Sequence, residues 1–418
     1  MSKDLHATST TVTLSVALYL LSSSVCPLWW SSLSEIYGRR TVFVSSFALH
    51  ITFTFASGWT QNIATLSVLR LFSGGGAASA QAVGAGVVAD IWKSDERGHA
   101  MSMFYLGPLV GPLFLPLVGG ALVQRYGWRS IMWFLSGWGI LVLGLILLFL
   151  PETLPAIRSV SDSRTSTAML TESRKKSFLS RLKCYTVDPL LVIGQLRFPA
   201  IAIVVLNAAL AFGSSYALNI SMQSAFSGSH YRFSPTIVGL LFVPYSAGFV
   251  VASVFGGKWM DRIMVRAAIK AGRYREDGTM IYLPEDRLGV NLLLSFVVYP
   301  AALIWCGWTV QYGVHWTVPS IATFVYGGGV MLVFSATTTM LTEFTPKQSS
   351  SGVAVNNFVR NIFSCVSTVA AQPLIDAIGH GWLMTMIGLL TCGIGLGSMW
   401  LLKRKSLVWR EKMEARLN

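Results

Sequence analysis

Apolar runs near positions 11–33, 41–57, 63–89, 100–122, 130–150, 199–221, 236–256, 289–310, 317–341, 352–374 and 381–402 leave this chain little choice but membrane-crossing helices. Each is long enough, alone or with flanking residues, for about 30 Å of hydrocarbon. The run near 41–57 is the shortest and must tilt or borrow neighbours. Gly and Pro inside the runs are no objection, because neighbouring helices in a bundle re-satisfy the backbone. Charged residues make up 12% of the chain and hydrophobic residues 53%, against about a quarter charged in a soluble domain. The expected fold class is an all-α, multi-pass membrane protein with about 11 transmembrane helices.

The segment Ser31-Ser32-Leu33-Ser34-Glu35-Ile36-Tyr37-Gly38-Arg39-Arg40 closes the first run with small residues, a carboxylate, a Gly and two Arg. Such a segment suits a sharp turn that holds charge at a membrane face. The same spacing of small residue to carboxylate returns in Gly257-Lys258-Trp259-Met260-Asp261-Arg262, 226 residues on (257 − 31 and 261 − 35). That offset also pairs Thr10 with Thr236 and Val12 with Val238. A repeat so long predicts two homologous helix bundles, the architecture of many secondary transporters. The expected boundaries are an N-terminal bundle over 1–150, a cytoplasmic linker over 151–198, a C-terminal bundle of six helices over 199–402 and a cytoplasmic tail over 403–418.

A net charge of +14 would suggest nucleic acid in a soluble protein, but its placement argues against that. With the Glu35 end in the cytoplasm, only Lys3, Arg125, Arg129 and Arg232 of the 32 basic residues fall on the opposite side, while Arg70 and Arg360 lie inside spans. This asymmetry sets the orientation by the positive-inside rule. The linker, with Arg174-Lys175-Lys176, reads as a solvated tether resting on anionic lipid. Residues 262–288 read as a short surface helix followed by a loop. Cys26, Cys184, Cys306, Cys365 and Cys392 show no CxxC spacing, and the six His are scattered, so no metal site is expected. With no phosphate-binding GxxxxGK[ST] loop, any work must draw on a gradient.

These residues together resemble the major facilitator superfamily, and within it the fungal drug:proton antiporter branch with twelve spans. Ser31 to Arg40 resembles the loop signature between the second and third helices, with Ser31 and Glu35 where Gly and Asp are usual. Leu66 to Ala78, with Arg70 and Gly74, resembles the fourth-helix signature. Gly107-Pro108, Gly111-Pro112, Pro116 and Gly119-Gly120 resemble the fifth-helix signature of exporters. Gly127-Trp128-Arg129, Pro151-Glu152-Thr153-Leu154, Pro284 to Leu288 and Thr342 to Arg360 are similar to the quinidine-resistance and dityrosine exporters. The resemblance implies two pseudo-symmetric bundles, the first holding the counterparts of helices 2–6. It also implies a monomer in the plasma membrane, bound to lipid and a small-molecule substrate, with no nucleic acid and no cofactor beyond a proton gradient. Relatives carry one more helix before the loop that here ends near Ser9, so the counterpart of their first helix is expected to be absent. A shortened gene model, a naturally short form and a degenerate copy all fit.

Candidate site residues fall into four groups. Ser31, Glu35, Gly38, Arg39, Arg40, Asp90, Gly257, Asp261 and Arg262 form a cytoplasmic gate in which carboxylates face helix N-termini and Arg39 or Arg40 reaches Asp90; the alternative is a cluster that only sets topology. Arg70 and Arg360, deep in spans, must face water or a partner, with Asn356 and Asn357 one turn before Arg360 and Glu343 nearby as coupling or cavity residues. Gly107, Pro108, Gly111, Pro112, Pro116, Gly119 and Gly120 can bend the fifth helix or close-pack it. Tyr105, Asn207, Tyr216, Tyr245 and Tyr326 could line a cavity for amphipathic cations, or simply pack the core. All 18 acidic residues fall at span ends or in loops. Proton coupling therefore rests on the resemblance, with Glu35, Asp90 and Glu343 as remaining candidates. The expected function is secondary active export of small organic compounds, such as drugs and toxic or secondary metabolites, by proton antiport with rocker-switch alternating access. A non-transporting membrane sensor or a non-functional truncated paralogue is the alternative. An enzyme would need a catalytic constellation that the sequence does not offer.

Overall fold

The computed structural model describes residues 4–5, 8–91, 104, 111, 115, 118–153, 192–228, 230–270, 272, 290–344 and 349–417. Helix α1 (Ser9–Tyr37) starts at Thr8, whose Oγ1 accepts the Thr11 N–H at 3.3 Å. Gly38, at φ +93°, ends it and at once begins α2 (Arg39–Ser57). Helix α3 (Ile63–Ala77) is capped by Asn62, which accepts from Thr65 N–H at 2.8 Å, and after Ala78 the chain continues as α4 (Ser79–Ile91). Helix α5 spans Arg129–Phe149. A 3-10 turn over Val192–Arg197 leads into α6 (Pro199–Ser227), where proline occupies the first turn, whose N–H groups lack helical partners in any case. Helices α7 (Pro235–Leu240), α8 (Val243–Lys270), α9 (Val290–Gln311), α10 (Thr317–Phe344) and α11 (Ser349–Leu417) follow. Non-helical dihedrals at Gly379 (φ 83°, ψ 168°) break α11 into two helices.

Every apolar run outside 100–122 is thus helical, and the structure adjusts several edges. Helix α2 recruits Arg39 and Arg40 to reach 19 residues, about 28 Å at 1.5 Å per residue. The run near 63–89 is α3 plus α4, and that near 236–256 is α7 plus much of α8. Residues 262–270 are not a separate surface helix: α8 continues unbroken to Lys270, because no Gly or Pro intervenes before Gly272 (φ +62°). Among the described residues, six segments are long and apolar enough to cross a membrane by themselves.

Contacts group the chain into two units, Met1–Gly107 with Tyr126–Gly194, and Pro108–Arg125 with Gln195–Asn418. In the first, α1 packs on α3 and α4, while α2 packs on α3, α4 and α5. Its outer helix α5 leaves Trp138, Leu148 and Phe149 at 58%, 79% and 75% exposure, an apolar surface suited to lipid. In the second, α6 packs against α10 and α11, α8 against α10, and α9 against α10 and α11. Phe226, Tyr299, Leu303, Tyr326, Met340 and Met384 form its core. The small residues Ala208, Ala209, Gly213, Ser214 and Ser215 let neighbours approach α6 closely.

The 226-residue offset reappears in local structure. Ser234, which caps α7, stands 226 residues after Thr8, which caps α1 (234 − 8). The same offset relates Tyr19 to Tyr245, and each backbone carbonyl is met by a glycine from the partner helix. A Cβ on Gly74 of α3 would fall 2.4 Å from the Tyr19 oxygen, and one on Gly327 of α10 would fall 2.2 Å from that of Tyr245. The α1–α3 and α8–α10 seams are therefore built by one rule.

Candidate functional site

The turn between α1 and α2 carries the densest charge network among the described residues. Gly38 can supply no side-chain cap, so the first N–H groups of α2 need an acceptor from elsewhere. Glu152 provides it: its Oε1 accepts from Arg39 N–H at 2.8 Å and its Oε2 from Arg40 N–H at 3.2 Å. A carboxylate at a helix N-terminus also meets the positive end of the helix dipole. The Arg39 guanidinium turns the other way, onto α4 and α1. Its Nε donates to Asp90 Oδ2 at 3.0 Å and its Nη1 to Ser34 Oγ at 2.5 Å, with the Arg39 and Asp90 side chains only 9% and 17% exposed. Arg40 Nη2 donates to the Leu147 carbonyl at 2.7 Å. Ends of α1, α2, α4 and α5 are thereby tied through one dipeptide.

Deeper in the same unit, Arg70 sets its guanidinium 5.9 Å from the Tyr19 ring centroid. Its Nε is buried and takes no hydrogen bond among the described residues. One turn along α3, Ser73 turns its carbonyl to His50 Nδ1 at 3.0 Å and its hydroxyl to Thr54 Oγ1 at 2.7 Å. Arg70 thus faces α1, while one turn along the same helix Ser73 meets His50 in the α2–α3 seam.

In the second unit Arg360 lies between two aromatic faces, 4.2 Å from the Phe212 centroid and 5.0 Å from that of Phe334, at 6% exposure. Such stacking favours a guanidinium in an apolar layer. Tyr326, fully buried, has its hydroxyl 2.7 Å from Ser214 Oγ and 3.1 Å from Ser215 Oγ, and its ring stacks on Tyr245 at 5.9 Å. Asn207 donates to the Ile203 carbonyl of its own helix at 2.8 Å. It borders a void of about 10 Å³ with Thr337 and Ser398, too small for an organic substrate.

The family profile of the Major Facilitator Superfamily matches residues 1–368. The chain belongs to the Major Facilitator Superfamily. It is 41% identical over 346 residues to the MFS transporter OpS2 of Beauveria bassiana, covering 81% of this chain and 98% of that one. It is 31% identical to the MFS antiporter QDR3 of Candida albicans, over 96% and 73% of the two chains. Among solved structures, the xylose transporter XylE from E. coli shares the fold at a TM-score of 0.66 and 13% identity, over 96% of this chain and 91% of that one. The superfamily consists of carriers rather than enzymes, so this member is a membrane transporter.

Within this superfamily member the predicted residues are placed as follows. Arg39 reaches Asp90, and Arg40 instead bonds a helix-end carbonyl. Ser31 is half-buried, and Arg262 is exposed. Glu35, Gly257, Asp261 and Glu343 stand on helices, the side chains of Glu35, Asp261 and Glu343 lying outside what is described, and Tyr105, Gly107, Pro108, Pro112 and Pro116 lie outside the described residues altogether. Gly111 and Gly119 are helical and half-buried. Gly120 lies so close to α7 that a Cβ would meet the Pro235 carbonyl oxygen at 2.4 Å. Asn356 is buried, Asn357 half-buried, and Tyr216 packs on Phe212 at 5.5 Å between centroids. Glu152, which caps α2, and His50, beside Ser73, are not among the site residues predicted from the sequence. An uncapped helix following Gly38 was the available signal for the first.

Proposed function

We propose that this transporter exports small organic compounds, drugs or toxic and secondary metabolites, from a fungal cell by proton antiport and alternating access. It works as a monomer in the plasma membrane, with linker 151–198 and the C-terminal tail in the cytoplasm. The observation that carries the reading is the Arg39–Asp90–Glu152 cluster: a breakable polar joint at the ends of four otherwise apolar helices is what a carrier that cycles between states requires. The direction of transport is supported by relatives described as an antiporter, as Quinidine resistance protein 3 of Saccharomyces cerevisiae (27% identical) and as Efflux pump radE of Floropilus chiversii (30% identical).

Expression in yeast stripped of its own exporters tests it. Accumulation of a panel of organic compounds, quinidine among them, is measured with and without an uncoupler. At least one compound should accumulate less when the protein is present, and the uncoupler should abolish the difference. Protein correctly sited in the plasma membrane that changes no accumulation would overturn the proposal.

A further inference from the structure

We propose that His50, on α2, is the group that carries the exchanged proton, an inference that rests on the antiport reading above. A coupling group must change protonation within the span, reached from one side and then the other. Of the Asp, Glu and His residues in this sequence, His50 alone stands in the interior of a span: the 18 acidic residues and the other five His fall at span ends or in loops. Asp90 is engaged by Arg39, eleven residues before His50 and about 16 Å away along the helix.

The surroundings fit a proton site. The shortest contact of the ring is Nδ1 to the Ser73 carbonyl at 3.0 Å, with the Ser73 and Thr54 hydroxyls at 3.3 and 3.5 Å. A carbonyl oxygen only accepts, so Nδ1 carries the hydrogen and the neutral ring presents a bare Nε2. The described hydrogen bonds of the ring all run through Nδ1. A proton arriving from the outer side adds to Nε2 to give imidazolium, and leaving toward the cytoplasm it restores the same tautomer. One charge moves inward as one substrate moves out.

The groups around His50 link this step to Arg70. From α3 the charged neighbour is Arg70, one turn from Ser73, with Tyr19 of α1 behind it. Helix α4 carries Asp90 at its far end, and α5 approaches with Gly139 and Ser136 and has Arg129 as its sole titratable residue, at its first position. Two cations one helical turn apart around α3 cost more than one in a low-dielectric layer. Protonation therefore favours the state in which Arg70 turns to water or to the substrate, and substrate release favours the return.

Proteoliposomes holding wild type or His50→Gln, loaded with the compound best exported in the cell assay, decide the matter. One unit of pH difference can sustain about a tenfold substrate gradient for a one-to-one exchange. Wild type should build such a gradient. His50→Gln should still exchange labelled for unlabelled compound but build none. A wild type that exports without regard to the pH difference would overturn the antiport reading and this inference together. A coupled wild type with an equally coupled His50→Gln would overturn this inference alone. If His50→Gln neither exchanges nor concentrates, His50→Glu returns a titratable group to the position: renewed coupled export supports the assignment, and its failure overturns it.

Discussion

Truncating Arg39 to Ala would leave the Asp90 carboxylate, 17% exposed, without its ion partner, and would strip Ser34 Oγ of its donor. Breaking a largely buried pair from one side costs about 3 kcal/mol, so Arg39→Ala should lower the melting temperature in detergent and the yield of folded protein. Arg39→Ala/Asp90→Ala should melt closer to wild type than Arg39→Ala does, because no lone charge remains. A double variant that melts lower than the single would refute the pairing as the cause. Glu152→Gln keeps an acceptor for α2 but loses the charge facing the helix dipole, and should cost about 1 kcal/mol. The first contact was legible in the sequence, since Arg and Asp stand at neighbouring span ends. Glu152 was not, because it lies 113 residues from Arg39: Gly38 signals a helix start in need of an acceptor but not which residue supplies it. Likewise, His50 in sequence is one scattered histidine, and only the fold sets it beside Ser73.

At the scale of the helix, the α1–α3 and α8–α10 seams depend on glycines that let one backbone touch another. Gly74→Val and Gly327→Val would each drive side-chain atoms into a tyrosine carbonyl, and overpacking of this kind costs about 1–3 kcal/mol. Gly144 of α5 has nothing within 4 Å of a Cβ position, so Gly144→Val should melt like wild type. Thermal unfolding of the three variants checks this, and equal losses in all three would deny the seams their special role. Span positions could be read from the apolar runs because hydrocarbon thickness fixes their length. Their interruptions could not. The break at Ala78 and the continuation of α8 to Lys270 depend on backbone contacts and on where a helix-ending glycine happens to fall. Tyr326 shows the same limit: its residue type suits a cavity as well as a core, and only its two serine partners and full burial show which surroundings it has.

For the whole molecule, the feature that a sequence conveys best is orientation, because charge placement is set before packing begins. The positive-inside rule assigns only Lys3, Arg125, Arg129 and Arg232 to the side opposite the Glu35 end; Arg129 bonds the Thr60 carbonyl at 3.1 Å and stacks over Trp128 at 4.8 Å. Within the second unit, Gly313 and Val314 in the turn after α9 accept hydrogen bonds from His230 and Tyr231 in the turn after α6, close to Arg232, so these two turns share one face of that unit. Cys184, in the linker with its cluster of Arg and Lys, should lie opposite, in the cytoplasm. A variant retaining Cys184 as its sole cysteine should resist a membrane-impermeant maleimide on intact cells and react after permeabilisation. Tyr312→Cys in a cysteine-free background, at a position 74% exposed in the turn after α9, should react on intact cells. Labelling of Cys184 from outside would reverse the assigned orientation, and with it the direction in which a proton passing through His50 could drive export.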